Sequence, residues 1–377
     1  MVSHDFHANI VRAFDLINPD QFSDFDNHER LVHVCDSRVG LCGFVAIHST
    51  ALGPAIGGTR YASYPHQNAA ICDALRLSRG MSFKCALAGL PYGGGKGVLM
   101  ATLEGARARS RAEMLGAYAL ALSQIGVEFF TGEDVGIEQR DVEILEAHSD
   151  HIVGRPSVGG MPAPWAAQGV FVAIKAAIQK RLGSDSLDGR VFAVKGLGAV
   201  GLTLCKLLSD AGGGLVLADV EEFKVEQARA QFPKATIVST DDIHAAPCDV
   251  FAPCALRNSI DETTVEQLAC KIICGAENNQ LTSDQIGSRL HARGILYVPD
   301  FVANAGGLIT VADELEPGGY SQQRVQKRVT MIGETVRQII ELSQDEDRPT
   351  NHVANEIAKQ RIRDASLSEK QPRALRV

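Results

Sequence analysis

Five of the ten residues from Gly89 to Val98 are glycines, and a single lysine, Lys96, stands among them. Glycine permits backbone conformations closed to other residues and lets a ligand approach the main chain closely. The stretch from Leu90 to Val98 is therefore expected to be a loop, since no ordinary helix or strand would choose that composition. A lysine hemmed in by backbone is a candidate for a lowered pKa and for work as a base; the plain alternative is a solvated surface lysine. Two more groups stand near it in the chain. Lys84 lies twelve residues earlier, and Asp134 sits between Gly132 and Gly136. A second pattern, Gly196-Leu-Gly198-Ala199-Val200-Gly201 followed by Asp219, has the spacing of a dinucleotide-binding turn.

The elements that must position these groups can be read from periodicity. Leu31 to Ser49 alternates apolar and polar residues and predicts a hairpin or two strands joined near Arg38 to Gly40. Leu52 to Arg60, rich in glycine and proline, is expected to be a loop at the edge of a site. Asn68 to Lys84 carries apolar residues at helical spacing, so Lys84 falls near a helix end, where a basic residue also complements the dipole. Ser110 to Ile125 predicts a second helix, Val127 to Thr131 a strand delivering Asp134 toward a cleft, and Asp141 to His148 another helix. His151 to Pro164 reads as a connection, and Trp165 to Leu182 as a long helix.

Beyond it, Val191 to Lys195 predicts a buried strand, Gly196 to Gly201 a tight turn, Leu202 to Ala211 a helix and Leu215 to Asp219 a second strand. That is the βαβ order the dinucleotide fingerprint demands. Gly196 allows the turn, Gly198 lets backbone approach a pyrophosphate, and Gly201 lets the helix pack on the strand, with the helix N-terminus at Ala199 and Val200 facing the phosphates. Asp219 would accept from the adenosine ribose hydroxyls. A 2′-phosphate would be repelled there and by Glu221 and Glu222, so NAD is expected over NADP. Further strands at Thr236 to Val238, Val250 to Ala252, Ile272 to Cys274 and Ile295 to Val298 alternate with helices and imply a parallel sheet. Ser321 to Ala365 is expected to be helical, broken at Arg348-Pro349.

With 377 residues, two domains are the default. A net charge of -8 argues against nucleic acid as the main partner. Nine cysteines, with no Cys-x-x-Cys pair, fit free thiols in a reducing compartment rather than disulfides or a metal centre; Cys270 and Cys274 come nearest to a metal pair, and no metal is expected. The opening residues Met1 to His7 lack the basic and apolar regions of a signal peptide, and no apolar run is long enough for a membrane span. A cytoplasmic protein is expected.

Seven segments carry a resemblance. Leu52-Gly-Pro-Ala-Ile-Gly-Gly-Thr-Arg60, Arg79-Gly-Met-Ser-Phe-Lys84, Gly89 to Lys96, Thr131-Gly-Glu-Asp134-Val-Gly136, Cys248 to Ala255, Gly275-Ala276-Glu277-Asn278-Asn-Gln280 and Pro299-Asp-Phe-Val-Ala-Asn304-Ala-Gly-Gly307 resemble, in order, the motifs of the glutamate/leucine/phenylalanine/valine dehydrogenases. The resemblance is closest to the leucine and phenylalanine enzymes. It implies an N-terminal α/β substrate and oligomerisation domain (1–150), a Rossmann-type NAD-binding domain (151–330) separated from it by a cleft, and C-terminal helices (331–377) packing back on the first domain. It implies reversible oxidative deamination of an L-amino acid to a 2-oxo acid and ammonia, in a homo-oligomer. By position, Lys84 would bind the substrate α-carboxylate, Lys96 would activate water, and Asp134 would move the proton on and off the amino group. Ala255, Ala276, Glu277, Asn278 and Asn304 would border the cofactor, and Asn304 the substrate as well.

In the glutamate enzymes a lysine and a serine hold the second carboxylate; Leu52 and Val311 stand at the matching positions here, and neither pairs a charge. Burying a carboxylate there would cost several kcal/mol, so an apolar amino acid is expected, with Leu52, Gly53, Ala55, Ile56, Leu308 and Val311 around its side chain. Three residues depart from the family pattern. Ala166 replaces a hydroxyl that would bond the nicotinamide carboxamide, Met161 stands where asparagine is frequent, and Glu277 replaces a small residue, bringing a negative charge toward the nicotinamide ring. Two other readings stay open: a dehydrogenase of specialised metabolism for a bulky aromatic acid such as tryptophan, and a non-catalytic NAD-binding regulator.

Overall fold

The structure, a computed structural model, describes residues 9–12, 21–101, 111–125 and 128–370. Ser110, Val127 and the opening residues Met1 to His7 lie outside them. The chain divides into two compact units: Met1–Gly160 with Glu314–Tyr320 and Ala358–Val377, and Met161–Asp313 with Ser321–Ile357. The divide falls at Gly160 rather than at residue 150, and the segment 331–377 is shared between the units rather than standing as a third.

The first unit is built on a mixed sheet. Its strands are β1 (Asn9–Arg12), β2 (Arg30–Asp36), β3 (Leu41–Ser49), β4 (Ala55–Ile56) and β5 (Thr59–Ala62), then helix α1 (Gln67–Leu87) and β6 (Gly93–Met100). Helix α2 (Arg111–Leu122), β7 (Phe129–Phe130), α3 (Gln139–Glu146) and α4 (Pro156–Gly159) complete it. The order is β1-β2-β3-β6-β4-β7, with β5 also on β6. The pairs β1–β2, β2–β3 and β3–β6 are antiparallel, whereas β4 and β5 lie parallel to β6.

Two expectations are corrected here. The glycine stretch is no loop: Gly93 to Met100 is the fully buried central strand of the sheet. The Leu52 to Arg60 segment likewise contains β4 and the start of β5. The glycines serve closeness rather than unusual dihedrals, since none of Gly93, Gly94, Gly95 and Gly97 has a positive φ. A Cβ at Gly93 would lie 1.9 Å from the Ser49 carbonyl oxygen, at Gly94 2.1 Å from the Ser82 nitrogen of α1, and at Gly97 2.3 Å from the Tyr118 hydroxyl of α2. Only a strand without side chains lets two flanking strands and a helix close so tightly around Lys96. Helix α1 begins where the His66 side chain accepts from the Ala69 amide, and it buries Ala70, Ile71, Ala74, Leu75, Ser78 and Ser82 on one face.

The second unit begins with α5 (Pro162–Leu182) and continues β8 (Val191–Lys195), α6 (Ala199–Asp210), β9 (Gly214–Ala218), α7 (Glu222–Gln231) and β10 (Thr236–Ile237). Next come β11 (Val250–Pro253), α8 (Thr264–Gln267), β12 (Ile272–Ile273), α9 (Asp284–Ala292), β13 (Leu296–Tyr297), α10 (Asp300–Ala303), α11 (Gly306–Asp313) and α12 (Gln322–Asp345). Helix α13 (Thr350–Lys370) starts in this unit and belongs to the first from Ala358. All six strands are parallel, in the order β10-β9-β8-β11-β12-β13. Counted from β8 this is 3-2-1-4-5-6, the doubly wound nucleotide-binding order, whose crevice opens at the carboxyl ends of the strands where the order reverses. Here that point lies between β8 and β11, at Lys195 and Pro253.

A side chain at Gly94 would have to push α1 off the sheet. Gly94→Ala is expected to lower stability by about 1–3 kcal/mol, the usual cost of overpacking, read as a drop in the thermal unfolding midpoint; an unchanged midpoint would show that α1 yields without cost.

Candidate active site

In the first unit, β6 carries Lys96 opposite Ala46 of β3. Its side chain is buried, the residue being only 4% exposed. The turn after β7 brings Asp134 to it, with 2.9 Å between Lys96 Nζ and Asp134 Oδ1. Gly57 and Gly58 allow the approach: a Cβ at Gly57 would lie 1.9 Å from the Gly95 carbonyl oxygen, and one at Gly58 2.9 Å from the Asp134 Cβ. Backbone bonds from Thr59 N to Gly132 O and from Tyr61 N to Val135 O tie β5 to the same turn.

A group that the sequence reading left unassigned completes the cluster. Arg60 donates from Nε to the other oxygen of Asp134 and from Nη1 to Asp73 Oδ2, both at 2.9 Å. Asp73 in turn accepts from the Tyr64 hydroxyl and from Arg76, at 2.7 Å each. The available signals were weak: an arginine closing the Gly-Gly-Thr-Arg run, and an acidic residue set among the buried positions of α1. Burial depresses the Lys96 pKa and Arg60 adds to the effect, against the pull of Asp134. For Asp134 burial works toward a higher pKa, but Lys96 and Arg60 outweigh it and hold the carboxyl below its ordinary range. The result is a desolvated amine, biased toward its neutral form, touching a carboxylate biased toward its charged form.

Lys84 lies in the last turn of α1, half-buried, two residues beyond the Ser82 that packs on Gly94. Leu52 and Gly53 precede β4 and remain partly exposed, whereas Ala55 and Ile56, expected around a substrate side chain, are core residues of the sheet. Leu308 and Val311 lie three residues apart on α11 of the second unit, both half-buried.

In the second unit the dinucleotide turn has three distinct glycines. Gly196 takes φ +100° and presses on the next loop, where a Cβ would lie 2.6 Å from the Ala255 nitrogen. A Cβ at Gly201 would meet the Gly196 carbonyl oxygen at 2.0 Å, while one at Gly198 would meet nothing within 4 Å. Gly198 caps α6 without a side-chain bond, and Ala199 and Val200 open its first turn, whose amides have no helical partner. This is a ready cradle for a phosphate. Asp219, half-buried just after β9, accepts from Leu197 N at 2.6 Å and from Glu221 N at 2.9 Å, so it holds the turn. Asn304, 6% exposed, donates to Ala276 O and Asn278 Oδ1, and its buried Oδ1 has no partner among the described residues. The cradle and the orphaned acceptor both fit a nicotinamide dinucleotide.

Glu277 requires a correction. Its carboxylate does not project as a free charge: it is 1% exposed, and its two oxygens accept from the Ser259 amide at 2.8 Å and the Ser259 hydroxyl at 2.6 Å. Met161 is exposed at the start of α5, and Ala166 lies near Gly307. Among the described residues no group of three or more His, Cys, Asp or Glu could hold a metal ion, and Cys270 and Cys274 are free, buried thiols.

Two family models match the chain: "Glu/Leu/Phe/Val dehydrogenase, dimerisation domain" over residues 28–151 and "Glutamate/Leucine/Phenylalanine/Valine dehydrogenase" over residues 213–369. The chain is 41% identical to a leucine dehydrogenase of Bacillus subtilis over 339 residues, 89% of this chain and 92% of that one. It is 39% identical to an L-tryptophan dehydrogenase of Nostoc punctiforme over 343 residues, 91% of this chain and 95% of the relative. The crystal structure of L-tryptophan dehydrogenase from Nostoc punctiforme matches with a TM-score of 0.79 at 38% identity, covering 90% of this chain and 97% of that one.

Gly198 and Gly201 are expected to fail differently. Gly198→Val should leave the thermal midpoint unchanged and weaken dinucleotide binding at least about tenfold, since its side chain enters only the space of the phosphates. Gly201→Ala should instead destabilise the fold. Equal binding by Gly198→Val and wild type, in a fluorescence titration, would remove the turn from the cofactor site.

Proposed function

The chain belongs to the glutamate/leucine/phenylalanine/valine dehydrogenase family, and on that premise we propose that it catalyses the reversible oxidative deamination of an apolar L-amino acid to its 2-oxo acid and ammonia, with NAD as the cofactor. The observation that carries the reading is the buried Lys96 amine, bonded to Asp134 and biased toward neutrality. A regulator that only bound the dinucleotide would have no use for so costly a group.

Lys84 pairs with the substrate α-carboxylate and so fixes Cα. Asp134, ionised, accepts a proton from the substrate ammonium and frees the nitrogen lone pair. When bound, the nicotinamide cofactor supplies the acceptor for the hydride that leaves Cα, and the substrate becomes an iminium. Lys96, neutral, takes a proton from water as its oxygen attacks that carbon. Asp134 then returns its proton to the amino nitrogen, and as the C–N bond breaks and ammonia departs, the again ionised Asp134 takes the hydroxyl proton of the carbinolamine, leaving the 2-oxo acid. Both carboxylate oxygens of Asp134 already accept, one from Lys96 and one from Arg60, yet each has a further lone pair, so proton transfer requires neither bond to break.

Support for NAD comes from Asp219, whose carboxylate is fixed at the end of β9 with Glu221 and Glu222 beside it, an arrangement that repels a 2′-phosphate. Support for an apolar substrate comes from Leu52 and Val311, which offer no charge to a second carboxylate. The likeness to both a leucine and an L-tryptophan dehydrogenase supports an apolar side chain, aliphatic or aromatic. The matched dimerisation domain supports a homo-oligomer formed through the first unit. Nine free cysteines support a reducing, cytoplasmic setting; among the described residues no helix is long and apolar enough to cross a membrane.

Nicotinamide absorbance with L-leucine, L-valine, L-phenylalanine, L-tryptophan and L-glutamate tests the reading. Reduction of NAD is expected with apolar acids and not with glutamate; no reduction with any of them, alongside NAD binding, would leave a non-catalytic binder. Lys96→Ala should cut turnover by about 10²–10⁴-fold, the worth of a general base, and spare NAD affinity. Because the base works only when deprotonated, turnover should rise with pH through the Lys96 pKa, with the midpoint below the ordinary lysine range. A midpoint at or above that range would contradict the assignment.

A further inference from the structure

The carboxylate of Glu277 is spent on a loop of its own unit. That loop leaves the carboxyl end of β11 and returns at Ser259. Its first footing is the bond from Cys254 N to Lys195 O, 2.7 Å long, which places Cys254 and Ala255 against Gly196 of the dinucleotide turn. Residues 255–258 are exposed, Leu256 at 87%. The second footing is Ser259, which is buried and held from three sides. Glu277 accepts from its amide and its hydroxyl, and the His244 Nε2–H donates to its carbonyl at 2.9 Å. Glu277 itself stands between Ala276 and Asn278, the two acceptors of the Asn304 amide. One side chain therefore joins the loop that touches the phosphate turn to the loop that orients Asn304.

We infer that Glu277 is a positioning residue for the cofactor: by clamping Ser259 it holds the 254–259 loop against the dinucleotide turn and fixes the spacing between that loop and the Ala276–Asn278 segment. The inference rests on the placement of the dinucleotide at Gly196 to Gly201. It replaces the expectation of a carboxylate facing the nicotinamide ring, since both oxygens are turned to Ser259. The clamp is separable from the fold, because backbone bonds from Asn258 N to Asn279 O and from Ile260 N to Gln280 O, both 2.9 Å, join the same two segments without it.

Titration of NADH fluorescence with full-length variants tests this without recourse to turnover. Glu277→Ala is expected to raise the dissociation constant about tenfold, the size of one lost buried hydrogen bond. Glu277→Gln should recover most of the affinity, because its carbonyl accepts from the Ser259 amide and its amide donates to the Ser259 hydroxyl. Glu277→Asp, one methylene shorter, keeps the charge but cannot reach Ser259, and should resemble the alanine variant; it also serves if Glu277→Ala does not fold. In turnover, the KM for NAD should rise while kcat at saturating cofactor holds. An affinity unchanged in Glu277→Asp, or one not recovered by Glu277→Gln, would overturn the clamp while leaving the cofactor site intact. Failure of the wild type to bind NADH, or wild-type binding by Gly198→Val, would overturn both.

Discussion

The first unit depends on keeping an amine out of water beside a carboxylate. A buried lysine is stable only if something compensates its desolvation, and here the compensation is a chain of alternating basic and acidic groups: Lys96, Asp134, Arg60, Asp73 and Arg76, with the Tyr64 hydroxyl on Asp73. Arg60 is central to this chain. It occupies the second oxygen of Asp134, so the carboxylate stays ionised without having to be neutralised by Lys96 alone. The same arginine disfavours a second cation nearby, which is what a lysine needs to serve as a base.

Such a cluster demands close packing, and the glycines of β6 provide it. Each missing Cβ corresponds to a neighbour already in its place: the Ser49 carbonyl of β3, the Ser82 amide of α1, the Phe129 ring of β7 and the Tyr118 hydroxyl of α2. Water is excluded from Lys96 because these groups are so near. The composition that looks like flexibility is thus a device for rigidity, with strands on both edges and helices across the faces.

Under the proposed function the second unit has a different task, holding a dianionic pyrophosphate with few charges. Its means are the amides of the first turn of α6, the open space at Gly198, and two loops after β11 and β12 joined by backbone bonds and by Glu277. Buried polar side chains recur at that end of the sheet, as Glu277, Gln280, Asp300 and Asn304. Among the described residues two of their acceptors have no partner, Gln280 Oε1 and Asn304 Oδ1, and the second belongs to the side chain that bridges Ala276 and Asn278.

The sequence by itself determined the second unit almost completely. Its βαβ turn, its strand alternation and the break at Pro349 depend on local periodicity and on glycine positions that only one geometry satisfies. The pairing of Lys96 with Asp134 was also legible, though through resemblance rather than spacing, because residues thirty-eight positions apart meet only in the folded chain. Tertiary structure alone decided three things. It made the glycine stretch a central strand, since the partners that require missing side chains come from distant segments. It recruited Arg60 and Asp73, whose roles follow from whom they face. And it turned Glu277 inward, because a buried carboxylate goes where two donors wait, and the Ser259 amide and hydroxyl are brought there by the return of the 254–259 loop.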